Sequence, residues 1–159
     1  MKIDFDNIEK HIIKMEDCQL KWRFTEKKYD LLQKKDLELL KPLDKLASTF
    51  LADYISNSTL HQNLPFKKGF FKTLEKAKVI EGNEQEIKKW LYQLKLPFDK
   101  EIYLSWDNQN AMIVPCNLLI KYFESFYYSS SDDLTVFDKK LNWAILFFHE
   151  DEIYFGTNE

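Results

Sequence analysis

His149, Glu150, Asp151 and Glu152 are consecutive near the end of this 159-residue chain, and an imidazole beside three carboxylates can take up a proton or hold a cation. The same four residues sit where one apolar run ends and another begins. Turns between strands are polar, so a solvated turn accounts for them without any chemistry. Ser129-Ser130-Ser131-Asp132-Asp133 is a second stretch of this kind. It reads as a structural loop before a strand, or as two carboxylates presented beside Asp107 at one end of a sheet. An acidic partner-binding face would be drawn from Asp107, Asp132, Asp133, Glu150, Asp151 and Glu152.

Other chemistries lack their residues. His11 and His61 are isolated, and neither HExxH nor closely spaced CxxC occurs, so no metal site is expected. Cys18 and Cys116 are nearly a hundred residues apart in apolar-leaning surroundings and read as buried, reduced thiols. Cys116 follows Pro115 at a strand-to-helix junction, where a thiolate is favoured, yet no fixed spacing ties it to a histidine. Only three glycines occur, none in a phosphate-cradling motif, so no cofactor is expected. Lys67, Lys68, Lys72, Lys76 and Lys78 interleave with Phe66, Phe70 and Phe71, superficially like a nucleic-acid surface, but a solvated helix face over a buried aromatic stripe explains them as well. With a net charge of −3, bulk attraction to nucleic acid is not expected. The first residues are charged where a signal peptide would be apolar, and no run is long enough to span a bilayer, so the expectation is a cytoplasmic protein without a membrane partner.

The elements that must position these residues divide at Pro97. Before it, residues 6 to 16 carry apolar residues at helical spacing, and Lys21 to Thr25 alternates like a strand, with a charged link after it. Pro42 fits the first turn of a helix running to about Asn57, with Leu43, Leu46, Ala47, Phe50, Leu51 and Tyr54 on one stripe. Residues 56 to 82 read as a long connection with a short helix near 69 to 77. Asn83 offers an N-cap to a helix bearing Ile87, Trp90, Leu91 and Leu94, with Glu86 as the return partner of a capping box. After Pro97 the period becomes two: strands are predicted at 101 to 106, 111 to 114, 134 to 137, 143 to 148 and 152 to 155, with a helix over 117 to 128. Helices early and strands late imply one α+β domain over residues 1–159, with an antiparallel sheet built mainly from the C-terminal half. Trp143 to Phe148 is apolar on both faces and reads as the central strand, covered by helices on one side, with the sheet's other face partly open. Trp106, Phe123, Trp143 and Phe147 are expected in the core.

Charge is split along the same line. Residues 101 to 159 hold 13 of the 25 aromatics and ten acidic residues against three lysines, a net charge of −7, while the first hundred residues are net +4. The layout of this C-terminal third is Trp106-Asp107, an apolar strand from Ala111, Phe123 to Tyr128, Ser130 to Asp133, Trp143, His149-Glu150 and Ile153 to Gly156. It resembles small bacterial immunity proteins encoded beside polymorphic or contact-dependent-inhibition toxins. The resemblance implies a cytosolic inhibitor, without chemistry of its own, that binds one cognate toxin domain. Such domains are often basic nucleases, which an acidic face would both attract and occlude. Two other classes stay open: a housekeeping protein-binding module, and a small hydrolase or transferase whose site assembles around His149, Glu150 and Asp107.

Overall fold

Seven strands form one antiparallel sheet in the computed structural model, which describes residues 2–26 and 32–159. They are β1 (Lys41–Pro42), β2 (Thr73–Lys78), β3 (Glu101–Ser105), β4 (Ala111–Pro115), β5 (Leu134–Phe137), β6 (Trp143–Phe148) and β7 (Glu152–Thr157), and their spatial order is β1-β4-β3-β5-β6-β7-β2. The α+β class and the five late strands agree with the sequence reading. β5 is the middle strand, and β6 lies between β5 and β7.

Both faces of the sheet are covered, where the sequence suggested one partly open face. Period-two alternation sends Ile102, Leu104, Leu134, Val136, Ile145 and Phe147 into one core, and Ile113, Phe137, Ala144 and Leu146 into the other. Helices α4 (Glu84–Gln93), α5 (Cys116–Lys121) and α6 (Phe123–Phe126) pack on the first face. The second face is covered by α3 (Lys45–Ser58), by the segment around Ile8, and by Leu60, Phe66 and Phe71. Phe71 lies across β7 at Gly156, where an added Cβ would collide with its ring.

Several early elements differ from their sequence patterns. Residues 6 to 16 make two short 3-10 turns, Ile8–His11 and Met15–Asp17, instead of one amphipathic helix. Lys21 to Thr25 is not a strand: Trp22–Thr25 is the short helix α1, which buries the adjacent residues Arg23 and Phe24 together. The charged link expected after it falls partly on residues 27–31, outside the described residues; beyond them Lys34–Leu37 forms another short helix, α2. Pro42 belongs to β1 at the sheet edge, where a missing N–H is tolerated, and Asp44 caps α3 by accepting the Ala47 N–H at 2.9 Å. Asn83 precedes α4 as expected, but its side chain accepts the Ile80 N–H and makes no cap bond to the helix. The helix expected near 69 to 77 is instead the edge strand β2. The helix over 117 to 128 is broken at Tyr122, whose hydroxyl donates to Asp36 Oδ2 at 2.6 Å.

One buried ion pair ties the first part of the chain to the sheet. Arg23, the chain's single arginine, donates from Nη1 and Nη2 to the two carboxylate oxygens of Asp132 at 2.5 and 2.9 Å. Nη1 also reaches the Phe126 carbonyl at 3.3 Å, and the guanidinium stacks over Tyr128 with its carbon 4.2 Å from the ring centroid. Both side chains are more than nine-tenths buried.

Phe123, Trp143 and Phe147 are buried as expected, while Trp106 is only partly so and donates its indole N–H to the Phe126 carbonyl at 3.0 Å. Trp143→Ala should destabilise the protein by about 3–5 kcal/mol, the usual cost of deleting a buried large aromatic, measured by denaturant unfolding. Arg23→Ala should cost about 3–5 kcal/mol by stranding the Asp132 carboxylate, and Arg23→Met combined with Asp132→Leu should recover part of that loss in the same assay. Equal stability of the single and double variants would contradict this account of the pair.

Candidate functional site

The register of the strands decides which acidic residues share a surface. Ser105 at the end of β3 is paired with Thr135 at the start of β5, and Leu134 is paired with Phe147 near the end of β6. The Asp107 turn, Asp133 and the turn from His149 to Asp151 therefore meet at one end of the sheet. Asp132 is not part of that face: it is buried against Arg23, which corrects its expected place on an acidic surface. Glu152 is at the same end but beside β2, where Lys76 Nζ lies 3.7 Å from its carboxylate and the Tyr154 hydroxyl donates to it at 3.0 Å. Asp107 organises its own turn, accepting the N–H groups of Gln109 and Asn110, each at 2.8 Å. Glu150 is exposed, and Asp151 takes a left-handed backbone conformation (φ 61°) that lets β6 turn tightly into β7.

Behind this rim is a cavity of about 370 Å³. Its apolar wall comes from Ala52 and Ile55 of α3, from Leu64 after that helix, and from Leu146 and Phe148 of β6. His61, Ser105, Trp106, Asp133, Thr135 and His149 supply the polar lining. Leu64 is 66% exposed, so the apolar wall continues onto the surface. Of the three residues proposed as an enzyme site, His149 lines the cavity, whereas Glu150 and Asp107 do not.

The pKa values of the two histidines at the cavity are shifted in opposite directions. Nδ1 of His61 is 2.7 Å from the Pro65 carbonyl, which can only accept, so Nδ1 carries the proton; Nε2 then accepts from the Thr135 hydroxyl at 2.9 Å. Burial pushes the His61 pKa down, which favours this neutral form. His149 presents Nδ1 to Asp133 Oδ1 at 2.8 Å, and the same oxygen accepts the His149 backbone N–H at 3.0 Å. That carboxylate bond raises the His149 pKa. His61 had no signal in the sequence, because its partner is 74 positions away and only the path of the chain after α3 brings them together.

Elsewhere, burial pushes the Cys116 thiol up to about 12, which disfavours the thiolate a nucleophile would need, and Cys18 is likewise buried with its pKa raised. Phe66 and Phe71 are buried and Phe70 is packed against the second core, so the lysine-rich segment offers no open aromatic stacking surface. Among the described residues, no group of three or more His, Cys, Asp or Glu side chains is placed to hold a metal, and no helix is long and apolar enough to cross a membrane. Comparisons with protein-family models, curated proteins and solved structures gave no match.

The two imidazoles should separate in an NMR titration: His149 with a midpoint above the ordinary 6.5 and His61 below it. Asp133→Asn should bring His149 back toward 6.5 and move His61 slightly further down, since the Asp133 charge also acts to raise the His61 pKa. The linkage signs are opposite. Stability contributed by the His149–Asp133 pair is present below the ordinary imidazole pKa and lost as pH rises through the raised one. Stability associated with neutral His61 is present above the ordinary value and lost as pH falls through the depressed one. A His149 midpoint insensitive to Asp133→Asn would remove the assigned cause.

Proposed function

We propose that the protein is an immunity protein: a cytoplasmic inhibitor that binds a cognate, basic bacterial toxin domain and occludes it, with Asp107, Asp133, Glu150 and Asp151 at the binding face. The observation that carries this reading is the apolar cavity opening beneath that acidic rim. Protein interfaces have this anatomy, a desolvated apolar centre that contributes most of the binding energy inside a polar margin that excludes water and sets register. An acidic margin also accelerates encounter with a basic partner and suppresses encounter with acidic ones. The resemblance of the C-terminal third to immunity proteins supports the same assignment.

A second reading, a small hydrolase, draws on the order Thr135 hydroxyl, His61 imidazole, Pro65 carbonyl, which has the connectivity of a nucleophile, a base and an orienting group. Thr135→Ala separates the two. It removes any such chemistry, and inhibition of a toxin by surface occlusion should survive it.

The test is co-purification with the product of the adjacent upstream gene, followed by stopped-flow association across a salt series. Glu150→Lys with Asp151→Asn should slow association several-fold at low ionic strength and progressively less as salt screens the charges, with the thermal transition little changed because Glu150 is exposed and Asn tolerates the left-handed backbone at 151. An upstream product without toxicity, or association that ignores both salt and the charge reversal, would overturn the proposal.

A further inference from the structure

A partner bound at this face must fill the cavity or leave it as a void, and the chemistry of its wall restricts what can enter. Ile55, Leu64, Leu146 and Phe148 form a continuous apolar side suited to a hydrocarbon stem. At the mouth, Asp133 Oδ1 is fully engaged with the backbone and ring of His149, which fixes the carboxylate in place, while Oδ2 accepts no hydrogen bond from any described residue. Deeper, Ser105 is 5% exposed and its hydroxyl likewise has no hydrogen-bond partner among the described residues. Thr135, opposite Ser105 in the β3–β5 pairing, donates its proton to His61 and so keeps a lone pair for an incoming donor. The lining therefore offers acceptors at two depths along an apolar wall. The His149 ring beside it is committed to Asp133 Oδ1.

Resting on the proposed protein-binding role, we infer that this cavity is the receptor for a single arginine side chain of the partner, its stem along Leu64 and Phe148 and its guanidinium shared between Asp133 Oδ2 and the Ser105 hydroxyl. Arginine fits better than lysine because its donors are spread over the Nε and Nη positions, so one side chain can serve acceptors at different depths, whereas an ammonium is a single point. A cavity of about 370 Å³ has room for an arginine side chain together with neighbouring atoms of the partner or water. A buried arginine anchor surrounded by a polar rim is also a common source of affinity in protein interfaces.

The experiment uses the whole chain and a defined probe. N-acetyl-arginine methylamide is titrated to tens of millimolar while the methyl resonances of Ile55, Leu64 and Leu146 are followed, with the corresponding lysine and norleucine amides as comparators. The arginine probe should shift these methyls saturably. Asp133→Asn should weaken it about tenfold, the loss of one charge-assisted hydrogen bond. Ser105→Ala should weaken it by a smaller factor, and Ala52→Leu, which fills the cavity from α3, should block it. Circular dichroism and methyl spectra of the free variants verify that each is folded. No saturable shift of the unsubstituted protein, undiminished binding by folded Asp133→Asn, or equal binding of the norleucine amide overturns the arginine receptor. If the upstream product still binds with charge-sensitive kinetics in that case, only the occupant is wrong. If the arginine probe binds as described but the upstream product is no toxin, the receptor stands and the immunity assignment falls.

Discussion

The Arg23–Asp132 ion pair sets the phase of the strand on which the candidate site is built. In extended backbone successive side chains point to opposite sides. Asp132 is drawn inward to Arg23, Leu134 and Val136 follow it into the same core, and the alternate residues Asp133 and Thr135 are thereby delivered to the cavity. A slip of one residue would turn Leu134 and Val136 out of the core and Thr135 into it, and in one direction would put the Asp133 carboxylate in the apolar place of Leu134 with no guanidinium to meet it. The pair is thus as much a register device as a source of stability. The single arginine of a chain with 22 lysines occupies the place where a planar fork is needed, since an ammonium could not bind both carboxylate oxygens while stacking on Tyr128.

Why the late strands were legible and the early segments were not follows from what each buries. β3 to β7 alternate or run apolar because both faces of the sheet are covered, so burial leaves a periodic trace in the residues. β2 carries no such trace: nearly all its side chains are exposed, and its lysines and glutamate guard an edge that would otherwise pair with another strand. A charged, lysine-rich segment of that composition looks helical by propensity alone. Trp22 to Thr25 misleads in the opposite way. Trp22 and Phe24 flank a charged residue and simulate alternation, but Arg23 is buried, and its partners, the Asp132 carboxylate, the Phe126 carbonyl and the Tyr128 ring, all lie more than a hundred positions away.

The site was legible only in part for the same reason. His149 and its acidic neighbours are contiguous, so the turn was visible. The adjacent carboxylates Asp132 and Asp133 looked like one patch, yet their neighbourhood in sequence sends them to opposite faces of the sheet. His61 gave no signal, because its environment is assembled from Pro65 and Thr135 by the chain's return across the second face after α3. Apolar residues such as Leu64 look the same in sequence whether they end in a core or at the lip of a cavity.

The charge split along the chain is partly cancelled in three dimensions, and several of the acids left over share one end of the sheet. Arg23 and lysines of the first hundred residues reach across to acids of the last 59: Arg23 to Asp132, Lys41 to Glu101 at 2.8 Å, Lys88 to Glu124 at 3.8 Å and Lys76 to Glu152 at 3.7 Å. Among the described residues, Asp107, Glu150 and Asp151 receive no such cation, and the partner of Asp133 is an imidazole whose charge depends on pH. Surface pairs add little to stability individually, so the selective absence of lysine from this rim is a matter of field more than of folding. Part of the negative charge that the sequence spreads over a third of the chain gathers beside one apolar cavity, where a field of a single sign can guide a cationic group to an apolar wall.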